Sequence, residues 1–190
     1  MMRESSIGAA LIAGILAAAL TACSTCEVGG VQVQENRATG KMVFTGPFEQ
    51  RDNRCYARGD GDRLRSEISR DGASAVHWVD TRMEWTGSGA SYWVGARDNR
   101  TGRQLTMGPA HRRTGDCSRL FGWGCEHQEE VGAMVPEDIL RAGAMDNDGL
   151  AIRFQRHSGF WSTASFSREQ VKAHLDNIDA WKKTAGVPRP

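Results

Sequence analysis

The first residue in the chain that could do chemistry is Cys23, a thiol at the end of an apolar stretch. Residues 7–20 read IGAALIAGILAAAL, and the small residues Thr21 and Ala22 separate this stretch from the cysteine. Since about 20 apolar residues are needed to span a hydrocarbon core, a run this short is typical of a secretory signal peptide. A thiol in this place could act as the nucleophile that accepts an acyl chain before a protease cleaves in front of it.

The four residues Leu20-Thr21-Ala22-Cys23 resemble the lipobox of bacterial lipoproteins, in which an aliphatic residue and two small residues precede the cysteine. The resemblance implies that residues 1–22 are a removed signal peptide and that Cys23 carries palmitate and further acyl chains. Several acyl chains attach a protein to the bilayer permanently, at about 0.8 kcal/mol per buried methylene. Because serine rather than aspartate follows the cysteine, the resemblance also implies an outer-membrane protein that faces the periplasm. An uncleaved anchor helix and an ordinary exported protein are the alternatives.

Four further cysteines, Cys26, Cys55, Cys117 and Cys125, would reach an oxidising compartment, where an even number predicts disulfides. Three connectivities are open. Cys117 and Cys125 bracket the turn-capable stretch SRLFGWG, so we expect them to pair with each other and Cys26 to pair with Cys55. The second bond would hold the domain against the membrane, because two residues separate Cys26 from Cys23. Zinc is the competing interpretation, but these four cysteines include no C-x-x-C pair and no H-x-x-x-H accompanies them, so no metal site is predicted.

The balance of charge argues against a nucleic-acid partner. The chain has 24 lysines and arginines against 23 aspartates and glutamates, a net charge of +1, whereas nucleic-acid binders are strongly basic. The five histidines are scattered, and none lies in a nucleophile motif such as G-x-S-x-G. We therefore predict no catalytic residue and no cofactor.

The segment 97–119 is locally basic, with six arginines against two aspartates, and it leads into the expected cysteine loop. Arginine forks bind phosphate and carboxylate groups bidentately, and exposed aromatic residues are typical of contact hot spots. The predicted partner-binding residues are Arg112, Arg113, Arg119, Phe121 and Trp123. They would bind an envelope protein or an anionic envelope component. The alternatives are a solvated basic loop and a Trp123 that packs on the domain beneath it.

Alternation of apolar and polar residues predicts a single, mainly β domain over residues 31–185, with a short linker at 23–30 and a loose tail at 186–190. The longest expected strand runs from Ala75 to Trp85, and the runs at 92–98 and 103–108 should follow it as an antiparallel meander. We expect an antiparallel sandwich or open barrel. One short helix should begin after Pro136, and a longer helix should close the chain.

The longer helix has its own start signal, since Ser167 and Gln170 form a capping-box pattern. Val171, Leu175, Ile178 and Trp181 recur at helical spacing and should form the packed stripe. His174 lies beside this stripe, and we expect it to be partly exposed at the surface.

The C-terminal half contains CSRLFGWGCEHQEE, then LRAG, LAIRF and the final helix. This order of elements resembles that of periplasmic proteins of the invasion-associated locus B type, which implies a β-rich exported domain without known chemistry. Together the patterns predict a non-catalytic envelope lipoprotein that binds a partner through the Cys117–Cys125 loop and its basic neighbourhood. An inhibitor or accessory subunit of an envelope enzyme is the alternative, followed by a hydrolase.

Overall fold

The computed structural model describes residues 30–50, 61–87, 92–118 and 124–186. The strands are β1 (Gln32–Asn36), β2 (Lys41–Thr45), β3 (Glu49–Gln50), β4 (Gly61–Ile68), β5 (Ala75–Gly87), β6 (Trp93–Asp98), β7 (Gln104–Met107), β8 (His111–Ser118), β9 (Gly124–Val135), β10 (Leu150–Arg156) and β11 (Trp161–Phe166). The helices are α1 (Glu137–Met145) and α2 (Arg168–Thr184). The prediction of a mainly β protein with one short and one longer C-terminal helix is confirmed.

The eleven strands of the described residues belong to one antiparallel sheet, with the order β1-β2-β4-β5-β9-β7-β6-β10-β11. Strand β3 pairs with β4. One edge of β9 pairs with two strands, with β8 along residues 124–130 and with β7 at residues 133–134. Although β4 and β11 are far apart in this order, they come into contact, so the sheet curls on itself. This continuous, curled sheet corresponds to the open-barrel form of the expected fold.

The hydrophobic core lies on the inner face of the curled sheet, against the two helices. Strand residues point alternately in and out, so every second residue of a strand contributes to the core. The largest fully buried apolar side chains are Phe44, Ile68, Val79, Met83, Val135, Leu140, Ile152, Phe154, Val171 and Ile178. These residues come from strands at both ends of the sheet order and from both helices, and this shared packing is what closes the curl.

Helix α2 begins as its sequence predicts, but its buried stripe includes a residue that we expected at the surface. Ser167 accepts a hydrogen bond from the backbone of Gln170, and the Gln170 side chain accepts one from the backbone of Ser167. Contrary to the prediction, His174 is only 1% exposed. It lies three residues after Val171 and one before Leu175, on the face that packs against the sheet, where Ser66 supplies its hydrogen bond.

Two predictions of local topology are wrong. Strand β5 does not form a meander with β6, because its two edges pair with β4 and β9. The ladder between β5 and β9 runs from His77 to Gly87, and the shorter β6 would have left much of that edge unpaired. The basic segment before Cys117, which we interpreted as a loop, is strand β8.

Candidate functional site

The predicted disulfide between Cys117 and Cys125 is present and joins β8 to β9. The two cysteines are register partners in the ladder, and a bulge between Thr114 and Cys117 precedes them on β8. A covalent closure of this short loop stabilises the fold by about 2.5 kcal/mol on the chain-entropy model. It also pins β8, which would otherwise be free to fray from the sheet at this end.

Strand geometry separates the two described arginines of the predicted site. Arg112 is the register partner of Glu129, and Arg113 is the partner of Gln128. Since successive side chains of a strand point to opposite faces, Arg112 lies on the inner face and Arg113 on the outer face. The two arginines therefore do not form one basic patch.

Glu129 was not predicted as a site residue, yet its carboxylate fixes Arg112 in place. Its side chain is fully buried, and its Oε1 atom lies 3.0 Å from both Nε and Nη2 of Arg112. The other carboxylate oxygen, Oε2, is buried and has no hydrogen-bond partner among the described residues. A buried carboxylate is costly unless it is paired, so Glu129 holds the guanidinium of Arg112 close. The Arg112 side chain nevertheless keeps 58% of its surface exposed.

Two stacked aromatic pairs surround this arginine. The guanidinium of Arg112 lies 5.2 Å from the centre of the Tyr92 ring, and Tyr92 stacks on His157 with ring centres 4.7 Å apart. Trp85 stacks on its register partner His127 at 5.2 Å. Stacked rings have few free torsions, so these side chains form a rigid surface. We call Trp85, Tyr92, Arg112, His127 and His157, with the adjacent disulfide, the disulfide-end site.

An open cavity of about 720 Å³ lies across the sheet from this site. Residues of β5, β8 and β9 line it, among them Arg82, Glu84 and Arg113, which alternate with the inner-face residues and so lie on the outer face. Charges of both signs in this lining suit a polar surface better than an apolar small molecule.

A serine flanked by two histidines lies elsewhere, beneath α2. The Oγ atom of Ser66 is 2.7 Å from Nδ1 of His77 and 2.8 Å from Nε2 of His174. All three side chains are buried, and burial lowers the pKa of His77 and lowers that of His174 to about 4. Both rings are therefore neutral near pH 7. This cluster is closed to solvent, and its hydrogen bonds tie α2 to the sheet.

The remaining predicted site residues, Cys23, Cys26, Cys55, Arg119, Phe121 and Trp123, lie outside the described residues. Glu129 could have been found from the sequence, because it alternates with Val131, Ala133 and Val135 on the inward face of its strand. In the described ranges, no three histidine, cysteine or acidic side chains are grouped as metal ligands would be. No described helix is both long and apolar enough to cross a bilayer.

The resemblances to lipobox lipoproteins and to invasion-associated locus B type proteins stay predictions. Comparisons of the chain with protein-family models, with curated proteins and with solved structures found no match.

Proposed function

We propose that this protein is a non-catalytic lipoprotein of the cell envelope and binds a partner protein through the disulfide-end site. One observation carries the proposal: Arg112 is held by a fully buried glutamate and an aromatic ring, yet more than half of its side chain is open to solvent. A guanidinium fixed in advance loses little conformational entropy when it binds a carboxylate on a partner.

The composition of the surface supports a protein partner. Tryptophan, tyrosine and arginine are the residue types that dominate binding hot spots, and Trp85, Tyr92 and Arg112 lie together here. The disulfide and the two ring stacks hold these groups in place before a partner arrives. Preorganisation of this kind favours affinity because fewer side chains must be ordered on binding.

The proposal is tested by photo-crosslinking in intact cells. A photoreactive amino acid is placed at position 114, which is exposed on the inner face beside His127, and in a second strain at position 172, on the exposed side of α2. We expect a discrete protein adduct from position 114 that position 172 does not give. Identical adducts from both positions would contradict the proposal.

A paired variant then tests whether Arg112 itself is needed. Arg112→Met is combined with Glu129→Gln, so that no unpaired carboxylate is left buried. We expect the adduct from position 114 to be lost in this double variant. Arg141→Met serves as the control, because this arginine of α1 is similarly exposed and pairs with Glu137 on its own helix. Loss of the adduct in the control as well would show a non-specific effect of charge.

The lipid anchor is the other half of the proposal, and it rests on the resemblance of residues 20–23 to a lipobox. Growth with an alkyne-labelled palmitate should label the wild-type protein and leave Cys23→Ser unlabelled. The wild-type protein should also fractionate with the outer membrane, where acyl chains would hold it. A soluble wild-type protein, or equal labelling of Cys23→Ser, would refute the anchor without affecting the partner-binding test.

A further inference from the structure

Two arginines and a tryptophan form a separate group on the outer face of the sheet. Arg97 on β6 and Arg153 on β10 are register partners, and their inward neighbours Ala96, Ile152 and Phe154 are buried in the core. The guanidinium of Arg97 lies 4.2 Å from the centre of the Trp161 ring, and that of Arg153 lies 5.0 Å from it. We call Arg97, Arg153 and Trp161 the arginine–tryptophan surface.

This surface has no counter-charge within the described part of the chain. Neither arginine lies within ion-pair distance of a described carboxylate, and the Nε atom of Arg97 is buried without a hydrogen-bond partner. Like charges directly opposite each other in a sheet destabilise it, by up to about 1 kcal/mol. An anion that contacts both guanidinium groups would remove this repulsion.

The arrangement of the two forks selects the kind of anion. Two guanidinium forks on one carboxylate must share its two oxygens, whereas a phosphate group has further oxygens and can bind each fork bidentately. Two adjacent forks on neighbouring strands therefore fit a phosphate group better than a side-chain carboxylate.

Exposed apolar side chains next to these arginines indicate where that phosphate would come from. Phe160 is 72% exposed and Val94 is 49% exposed. Val94 is the extra residue of the β6 bulge, three residues before Arg97, and Phe160 directly precedes Trp161 at the start of β11. At a bilayer surface, apolar side chains enter the boundary of the acyl chains, indole rings lie at the headgroups and arginines contact phosphates.

We propose that the outer face of β6, β10 and β11 docks on the anionic phospholipids of a bilayer. Phe160 and Val94 enter the headgroup boundary, and Arg97 and Arg153 bind lipid phosphates beside the ring of Trp161. This contact goes beyond the proposed partner site and sets the orientation of the domain on the membrane. It does not require that Cys23 is the residue that carries the lipid.

The test uses full-length protein reconstituted into two kinds of vesicle, phosphatidylcholine alone and phosphatidylcholine mixed with phosphatidylglycerol. Amide hydrogen exchange is followed in residues 92–95 and 157–160. We expect exchange there to be slowed by up to about 25-fold on the anionic vesicles, since two arginines near such a surface each strengthen binding about fivefold. Arg97→Gln combined with Arg153→Gln should abolish this protection.

The control is Arg37→Gln combined with Arg70→Gln, which removes the same charge from two exposed turns and should keep the protection. Protection that survives Arg97→Gln with Arg153→Gln, or that is equal on both vesicles, would overturn the proposal. Inorganic phosphate that reproduces the protection on phosphatidylcholine would instead indicate a site for free phosphate, and it would overturn lipid docking. The crosslink from position 114 is unaffected by any of these outcomes, so the two proposals fail separately.

Discussion

Two arginine–aromatic clusters share the outer face of this sheet, and they differ in their counter-charges. In the first, on β4 and β5, the buried carboxylate of Asp80 accepts hydrogen bonds from Nε of Arg65 at 2.7 Å and from Nε of Arg63 at 3.3 Å. Arg65 also lies over the ring of Trp78 at 5.2 Å. We call Arg63, Arg65, Trp78 and Asp80 the neutralised cluster. Glu130 completes it by accepting a hydrogen bond from Arg63 at 2.5 Å.

The second group is the arginine–tryptophan surface, which has the same composition but no described carboxylate. Both groups contain two arginines and a tryptophan whose ring lies under a guanidinium, so residue type alone does not distinguish them. Their difference is that Asp80 occupies the forks of one pair, while the forks of Arg97 and Arg153 remain available. Local counter-charge, rather than the number of arginines, therefore decides which surface can bind an anion.

The largest effect is expected from removing the carboxylate that makes the clusters different. Asp80→Asn leaves two partly buried guanidinium groups without their shared anion, and we expect a loss of about 3 kcal/mol in the free energy of unfolding. Urea unfolding measures it. Asp138→Asn is the matched control, because its 3.4 Å pair with Arg103 is exposed and should change stability by less than about 0.5 kcal/mol. Equal losses in the two variants would contradict the distinction between the clusters.

Acid should weaken the strands behind the neutralised cluster. Ser66 and His77 lie on the inner faces of β4 and β5, where the Ser66 hydroxyl contacts both His77 and His174. Because burial lowers the folded-state pKa of His174 from 6.5 to about 4, the unfolded chain takes up a proton first as the pH falls. Stability is therefore complete above about pH 7 and is lost between pH 6.5 and 4, by about 2 kcal/mol at pH 5.

Urea unfolding at pH 7.5 and pH 5 measures this loss, and His174→Gln should remove most of it because glutamine does not titrate. Protection from hydrogen exchange, relative to the intrinsic rate at each pH, should fall in β4 and β5 before it falls in β10, whose buried residues Leu150, Ile152 and Phe154 carry no ionisable group. An unchanged pH dependence in His174→Gln would refute this assignment.

The contrast between local and long-range signals also explains which features the sequence predicts. The capping box of Ser167 and Gln170 and the strand at 75–85 depend on neighbouring residues, and both are present. The partner of a strand edge depends on residues far along the chain, so the pairing of β5 with β9 was missed. The same reason applies to His174, whose burial depends on Ser66 more than a hundred residues earlier.

The candidate site shows the same limit. The pairing of Cys117 with Cys125 follows from the short turn-capable stretch between them, and it is found. Arg112 and Arg113 were expected to act together because they are adjacent in sequence, but strand alternation separates them. That separation could be predicted only once the segment is known to be a strand. The residues of β8 are mostly polar, so they lack the apolar–polar alternation that would indicate a strand.

A glycine beside each cluster allows a smaller test of how tightly each is packed. Gly132 is the register partner of Asp80, and a Cβ atom there would lie 2.6 Å from the Asp80 Oδ1 atom, which Arg65 holds in place. We expect Gly132→Ala to cost about 1.5 kcal/mol in urea unfolding. A Cβ atom at Gly95 would lie 3.4 Å from the flexible Gln104 side chain, so Gly95→Ala should change stability by less than about 0.5 kcal/mol. Similar costs at both positions would mean that the clusters are equally rigid.

The smallest effect is expected at the arginine–tryptophan surface itself. Arg153→Gln removes a contact with Trp161 that stabilises the fold by about 0.5 to 1 kcal/mol, and it also removes a repulsion with Arg97 of similar size. The two terms oppose each other, so the free energy of unfolding should change by less than about 0.5 kcal/mol in urea unfolding. A loss above about 1 kcal/mol would show that Arg153 stabilises the sheet. The surface would then resemble the neutralised cluster, in which the arginines stabilise the fold and are not available to bind an anion.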